Sequence, residues 1–302
     1  MAGKRGSGGN RKSLLVLFFR KEHSFLRLPY HGCMTAASVR VPRSAWRDGA
    51  FLDGAREVPE ETPIAITYNR VTHAVMMATP DDLQDFAVGF SLSEGIVPEA
   101  GAIEDFAVVE AEGGIELRMW IASAHMASLE KRRRRLAGAT GCGMCGLESL
   151  AEALRPVPSA PAGRVFTPDD ILGAVASLGP AQVLNQTTRA VHAAGFWHSE
   201  GGLVAVREDV GRHNALDKVY GALARSGTDV SDGVVVLTSR MSIELVQKAA
   251  RMGAAVVAAV SAPTALAVRA AEAAGLTLVG IARSDGFEVF TAPGRVAAPA
   301  GR

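Results

Sequence analysis

The chain has little cysteine: three residues in 302, two of them in one short stretch. That excludes a scaffold stapled by disulfides and makes a reducing cytoplasm its natural home. Aromatic residues amount to 6%, and the apolar content comes mostly from Ala, Val and Leu, with Gly also abundant. Such a composition suits an α/β protein. No apolar run approaches the roughly 20 residues that a membrane-spanning helix needs, so no membrane partner is expected. Internal repeats, heptads and the usual Gly-rich phosphate fingerprints of strand–helix units are missing too, which removes solenoids, coiled coils and the common nucleotide folds.

Charge is nearly balanced, at +1, but unevenly placed. Residues 1–40 carry eight Lys/Arg against Glu22 alone, a local +7 that leaves −6 on the other 262 residues. A basic tail on a mildly acidic body does not read as a nucleic-acid binder, and residues 1–42 are expected to form a disordered extension. The apolar stretch Leu14–Phe19 is short for a secretory signal and is closed by Arg20-Lys21. Met34-Thr35-Ala36-Ala37-Ser38 reads like an ordinary protein start. Residues 1–33 are therefore read as an over-extended start or a dispensable extension, and Cys33 within them is given no chemical role.

A hydrophobic share of 48% can bury a sizeable core, here in two modest domains. An N-terminal α+β domain is expected over 43–137, a loop and linker over 138–163, and a C-terminal α/β domain over 164–302. Residues 63–69 and 74–78 read as strands around a turn, followed by a helix with Thr79 as N-cap and Pro80 at its first position, running to about Ser93. Strands near 105–111 and 115–121 precede a basic helix at about 124–136, and a short helix is expected over 147–154. In the second half Thr167-Pro168-Asp169-Asp170 opens a helix. Apolar strands at 202–207, 233–239, 254–260 and 276–282 alternate with helices at 212–225, 242–252 and 264–274, a pattern that predicts a largely parallel sheet covered by helices.

Ligands of such sheets bind beyond the carboxyl ends of the strands. Three loops fall there: Thr238-Ser239-Arg240-Met241-Ser242, Ser261-Ala262-Pro263-Thr264 and Ala282-Arg283-Ser284-Asp285-Gly286. Together they offer hydroxyls, two arginines and helix N-termini, which suit an anion such as phosphate.

The chemistry-bearing stretch is Gly141-Cys142-Gly143-Met144-Cys145-Gly146. Glycine before, between and after the cysteines removes side-chain shielding. The run Lys131-Arg132-Arg133-Arg134-Arg135 just upstream favours the thiolate, the reactive form. A thiolate attacking the sulfane sulfur of a donor persulfide yields a cysteine persulfide. The same spacing also serves a thiol–disulfide oxidoreductase, although no strand–Cys-x-x-Cys–helix pattern surrounds it. It equally serves a non-enzymatic binding module in which two such pairs meet across a dimer around zinc. Two further candidates are His192, read either as a cofactor-pocket residue or as a satisfied structural group, and Arg207-Glu208-Asp209-Val210-Gly211-Arg212-His213-Asn214, read as cofactor contacts or as ion pairs at a domain joint.

Taken in order, several segments resemble the FdhD family of formate dehydrogenase accessory sulfurtransferases. They are Pro59-Glu60-Glu61 into Pro63-Ile64-Ala65, Val75-Met76-Met77-Ala78-Thr79-Pro80, and Phe86-Ala87-Val88-Gly89-Phe90 through Gly95-Ile96. Thr140–Gly146, Glu208–Lys218, and Ser239-Arg240 through Leu276–Gly280 continue the series. The resemblance covers about residues 58–292. It implies a sulfur carrier that accepts persulfide sulfur from a cysteine desulfurase and passes it to molybdenum bis(molybdopterin guanine dinucleotide) for formate dehydrogenase. That cofactor is bound as substrate; no permanent cofactor and no metal site are expected. Cys142 would carry the persulfide and Cys145 assist, with Ile281, Ala282, Arg283, Ser284, Asp285 and Gly286 as the cofactor loop. His192, Ser239 and Arg240 are placed beside that loop as further cofactor contacts, and a homodimer is expected. The resemblance also implies a cytidine-deaminase-like three-layer C-terminal domain. Deamination itself is excluded, because Ala194 stands where His-x-Glu would need Glu after His192, and Cys142 and Cys145 precede that His and lack the preceding Pro.

Overall fold

A computed structural model describes residues 36–126, 129 and 157–297. The cysteine stretch, the Lys131–Arg135 run, the helix expected at 147–154 and most of the 138–163 linker lie outside the described residues. Those from 36 onward belong to one compact unit built around two sheets.

The first strands were not expected. β1 (Ser38–Arg47) and β2 (Ala50–Pro59) form a two-stranded antiparallel hairpin of their own. Its turn is Asp48-Gly49, both with positive φ (51° and 80°), the conformation whose twist matches that of the flanking strands. Trp46 and Phe51 stack edge to face across it at 4.9 Å, although both are exposed. At the base, Arg56 donates to the Thr188 carbonyl at 2.9 Å.

Next comes a four-stranded sheet in the order β4-β3-β6-β5, from β3 (Thr62–Tyr68), β4 (Val71–Ala78), β5 (Ile103–Ala111) and β6 (Gly114–Ile121). β3 and β6 run parallel and the other pairs antiparallel. Alternation turns Ile64, Ile66, Tyr68, Leu117 and Met119 to one face, where helix α1 (Leu83–Ser93) covers them with Phe86, Ala87 and Phe90. The helix starts later than expected. Asp82 is the N-cap, and Thr79 lies outside the helix because its backbone and hydroxyl are engaged elsewhere, as described below. Beyond β6 the described helical residues are 123–126 and 129, the start of the expected basic helix.

The second half follows the expected alternation closely. Thr167 caps α2 (Pro168–Ala181) in a reciprocal capping box with Asp170. After the short α3 (Val183–Thr188) come β7 (His192–His198), β8 (Gly202–Asp209), α4 (Arg212–Ser226), β9 (Gly233–Leu237), α5 (Ile243–Arg251), β10 (Val256–Ala259), α6 (Ala265–Ala274), β11 (Thr277–Arg283) and β12 (Gly286–Val289). The sheet order is β12-β11-β10-β9-β7-β8. Only β9, β10 and β11 are mutually parallel; the flanking ladders are antiparallel, so the sheet is mixed and not largely parallel. The unforeseen strand β7 makes the difference. Its Ala-Ala-Gly centre looks like a loop, yet a β-carbon on Gly195 would lie only 3.0–3.1 Å from Val236, Ala205 and Leu178. A strand pressed on both faces takes small residues there.

Three layers result. α2 packs Ile171, Ala174 and Leu178 against Val234, Val236, Val256 and Ala258, while α4, α5 and α6 cover the opposite face at Val235, Leu237, Val257 and Leu278. The mixed α/β class expected from sequence is thus observed.

The two sheets are joined where α1 crosses α4. A β-carbon added to Gly89 would lie 1.7 Å from the Asp217 carbonyl oxygen, and one on Gly221 1.9 Å from that of Asp85. Only glycine lets two helical backbones come this close. Buried Asp85 then accepts from Arg207 (2.6 and 2.9 Å) and from Arg225 (2.5 Å), tying both helices and β8 together.

Candidate functional site

Parallel pairing brings the carboxyl ends of β9, β10 and β11 to one edge of the six-stranded sheet. Because β7 runs against β9, its first residue, His192, reaches the same edge, opposite Asp209 at the end of β8. Thr238 holds this corner, accepting from the Ala193 amide at 2.9 Å and donating its own amide to the Ala193 carbonyl at 3.1 Å. Ser239 follows, buried, and Arg240 exposed. The three loops are laced by backbone bonds: Met241 N–H to Ala262 O (3.3 Å), Thr264 N–H to Met241 O (2.9 Å) and Ile281 N–H to Ser261 O (3.2 Å). Gly280 permits that lacing, since a β-carbon there would lie 2.8 Å from the Phe290 ring and 3.0 Å from Pro263. Ile281 has φ 52° within a bulge between Gly280 and Arg283.

Of the residues singled out in sequence, His192, Ser239, Arg240 and the 281–286 segment therefore share one edge. Arg283, Ser284 and Asp285 are exposed, whereas the Ala282 side chain belongs to the core under α2. The third loop differs from expectation. Ser284-Asp285 is a two-residue turn into β12, with Arg283 paired to Gly286, and no helix follows it. Cys142 and Cys145 lie outside the described residues.

The run from Arg207 to Lys218 divides by role. Glu208 accepts the Leu184 and Asn185 amides at 2.7 and 2.8 Å, anchoring the start of α3. Asp209 is fully buried and takes four donors: the Thr79 amide (3.0 Å), the Gly211 amide (2.7 Å), Asn214 Nδ2 (2.9 Å) and Lys218 Nζ (2.8 Å). Lys218, also fully buried, donates to the Thr79 carbonyl at 2.9 Å, and Asn214 to the Met77 carbonyl at 2.9 Å. Thr79 returns the contact by accepting the Val210 amide through Oγ1 at 3.1 Å. A second buried cluster lies further along α4, where Lys248 bridges Asp217 (2.9 Å to both oxygens), Ser93 (2.8 Å) and Glu94 (3.0 Å). These residues form the joint between the sheets. Of them, Thr79 has the sequence appearance of a helix cap, and Lys248 lies within the helix expected at 242–252 with no local sign of its buried partners.

Arg212 and His213 take no part in the joint. Arg212 is half-buried at the first position of α4, and His213 follows it with its side chain 14% exposed. Burial, then the nearby Arg212 and Lys248 charges, pull His213 down to about 4, against a weaker opposing pull from Glu244 and Glu94. His192 is lowered as well, first by burial and then by Arg212, with Asp209 opposing. Burial is the larger cause at both, and one guanidinium adds to it at each imidazole. Arg212, Arg240 and Arg283 form no ion pair among the described residues, in contrast to Arg207 and Arg225 at the joint. An edge carrying unpaired guanidiniums, neutral histidines and the N-termini of α5 and α6 is built to receive an anion. No group of three or more His, Cys, Asp or Glu among the described residues is placed to hold a metal.

The profile of the FdhD/NarQ family matches residues 59–297. The chain belongs to that family. Among curated relatives it is 50% identical over 262 residues to the sulfur carrier protein FdhD of Agrobacterium fabrum, covering 86% of this chain and 97% of that one. Identity to the sulfur carrier protein FdhD of Brucella abortus is 53% over 257 residues, covering 85% and 96%. A crystal structure from Desulfotalea psychrophila, of a protein assigned as a formate dehydrogenase accessory protein, superposes with a TM-score of 0.70. It is 26% identical and covers 87% of this chain and all of its own. The resemblance drawn from the ordered segments is thereby established over the span it claimed.

Proposed function

We propose that this member of the FdhD/NarQ family, whose curated relatives are sulfur carriers, takes persulfide sulfur from a cysteine desulfurase and delivers it to molybdenum bis(molybdopterin guanine dinucleotide) destined for formate dehydrogenase. The observation that carries the proposal is the sheet edge with three arginines that lack a carboxylate partner among the described residues. A guanine dinucleotide brings diphosphates, and such an edge supplies the donors they need: guanidiniums, helix N-termini and the hydroxyl-bearing loops at 238–242 and 261–264. Asp285 sits at the rim with the opposite sign and restricts where a phosphate settles.

The sulfur chemistry belongs to Cys142. Its thiolate attacks the outer sulfur of the donor's persulfide, the donor leaves as a thiolate, and Cys142 holds the new S–S bond. Cys145 assists or relays. The protein works in the reducing cytoplasm, where a persulfide is regenerated by the donor, and it acts as a homodimer. Among the described residues no helix is long and apolar enough to cross a membrane.

Intact mass after incubation with a cysteine desulfurase and L-cysteine tests the reading. Wild type should gain about 32 Da per sulfur, reversibly with reductant, and Cys142→Ala should gain none. A wild-type mass that only falls by about 2 Da would mean a Cys142–Cys145 disulfide and a redox role instead.

A further inference from the structure

We infer that Arg212 is the inner anion anchor of this edge, contacting a phosphate of the bound nucleotide, with His192 and His213 flanking it as neutral hydrogen-bonding groups. The inference rests on the reading of the edge as the seat of a guanine dinucleotide and adds to it a residue outside the 281–286 loop.

A half-buried guanidinium is costly to leave without a counter-charge. Asp209 is the obvious candidate, lying in the same turn and close enough to act on His192. A carboxylate offers about four acceptor positions. Asp209 spends all of them, two per oxygen, on Gly211 and Asn214 and on Thr79 and Lys218. The other acids around α4 are engaged too: Glu208 by two amides, Asp217 and Glu94 by Lys248, and Asp85 by Arg207 and Arg225. Glu244 faces His213, with 3.9 Å between Oε2 and Nε2. Among the described residues Arg212 is therefore left without a carboxylate partner at the first turn of α4, close enough to His192 and His213 for its charge to add to the burial that favours their neutral forms. Each imidazole can donate one N–H to a phosphate or ribose oxygen. The Nε2 of His213 is a buried atom with no hydrogen-bond partner among the described residues.

Binding of GDP and of inorganic pyrophosphate to the full chain tests this. Arg212→Gln should weaken GDP by about 10- to 100-fold, the usual range for one charge-assisted contact. Arg212→Lys, a point charge without the fork, should fall between, and Arg269→Gln on the exposed side of α6 should bind like wild type. Pyrophosphate should follow the same ranking if the contact is to phosphate. Labelling of wild type with phenylglyoxal covers the case in which a variant folds poorly: GDP should protect Arg212 and leave Arg269 reactive. Wild-type binding with Arg212→Gln unchanged, or Arg212 labelled equally with and without GDP, overturns the inference while leaving the nucleotide seat intact. Wild type that binds no GDP removes the seat, and the inference with it.

Discussion

Replacing glycine by alanine inside a helix normally stabilises a protein, by about 0.5–1 kcal/mol, because it removes backbone freedom from the unfolded chain. At Gly89 the sign should reverse. The new methyl carbon would start 1.7 Å from the Asp217 carbonyl oxygen, with the Asp217 carbonyl carbon at 2.6 Å and the Gly221 amide nitrogen at 2.8 Å. All three are backbone atoms, so no rotamer change relieves the clash. A separation of about 3.2 Å requires α1 and α4 to part by more than 1 Å at their crossing. That would lengthen the Asp85 bonds to Arg207 and Arg225, now 2.5–2.9 Å. Overpacking of this kind costs about 1–3 kcal/mol, and weakening charge-assisted bonds to a buried carboxylate adds about 1–2 more. After the propensity gain, Gly89→Ala should lose about 2–4 kcal/mol. Gly173 supplies the internal control: it is exposed in α2, and a β-carbon there meets nothing within 4 Å. Gly173→Ala should gain up to about 1 kcal/mol. Urea unfolding of both variants beside wild type gives the comparison. If Gly89→Ala and Gly173→Ala shift stability in the same direction, the close crossing is not what holds the two sheets together.

Lys218→Met should destabilise by about 3–5 kcal/mol, because it leaves Asp209 charged and buried without its cation; adding Asp209→Asn should recover part of that loss in the same unfolding assay, and a double variant worse than Lys218→Met alone would sink the explanation. Stability should also fall in acid through His213. Its folded value of about 4 lies below the ordinary 6.5, so the contribution is complete above pH 6.5 and is lost as pH falls toward 4. By pH 5 the loss should reach about 2 kcal/mol. Urea midpoints for wild type and His213→Gln at pH 7.5 and pH 5 isolate it, and equal pH slopes in the two proteins would refute it.

What the sequence made legible was what short-range chemistry decides. Thr167 and Asp170 cap each other within one helical turn, and the cap was read correctly. Thr79-Pro80-Asp81-Asp82 has the same appearance but a different fate, since Thr79 bonds to Asp209 and Val210, 130 residues away. No local rule reports a tertiary claim on a capping residue. The Asp48-Gly49 turn was a readable hairpin signal, but its strands carry Pro42 and Gly54 and little alternation, so the pattern was hidden. β7 escaped because packing on both faces selected Ala-Ala-Gly over β-branched residues. Missing it also gave the wrong sheet: β7, inserted between β9 and β8, makes an antiparallel ladder with each, so three of the five ladders are antiparallel. The carboxyl-edge loops survived this error because the central strands β9, β10 and β11 are parallel as expected.

The same reasoning explains why the run from Arg207 to Lys218 could be read both as cofactor contacts and as a domain joint. Arg207 and Arg212 are chemically alike and only five residues apart. Arg207 points from β8 to a buried carboxylate, Asp85, whose two oxygens are shared with Arg225. Arg212 comes after the chain has turned into α4, near Asp209, whose acceptor positions are already filled by the joint. The joint's donors therefore fill Asp209 and leave the rim arginine without a carboxylate partner among the described residues. This has a consequence for reading variants in the region. Substitutions of the joint residues Thr79 and Ser93 should act first on stability, with affinity per folded molecule little changed. One special case runs the other way: weakening a donor to Asp209 opens an acceptor position next to Arg212. An internal ion pair could then form at the rim, so Asn214→Ala should lower nucleotide affinity without touching the ligand.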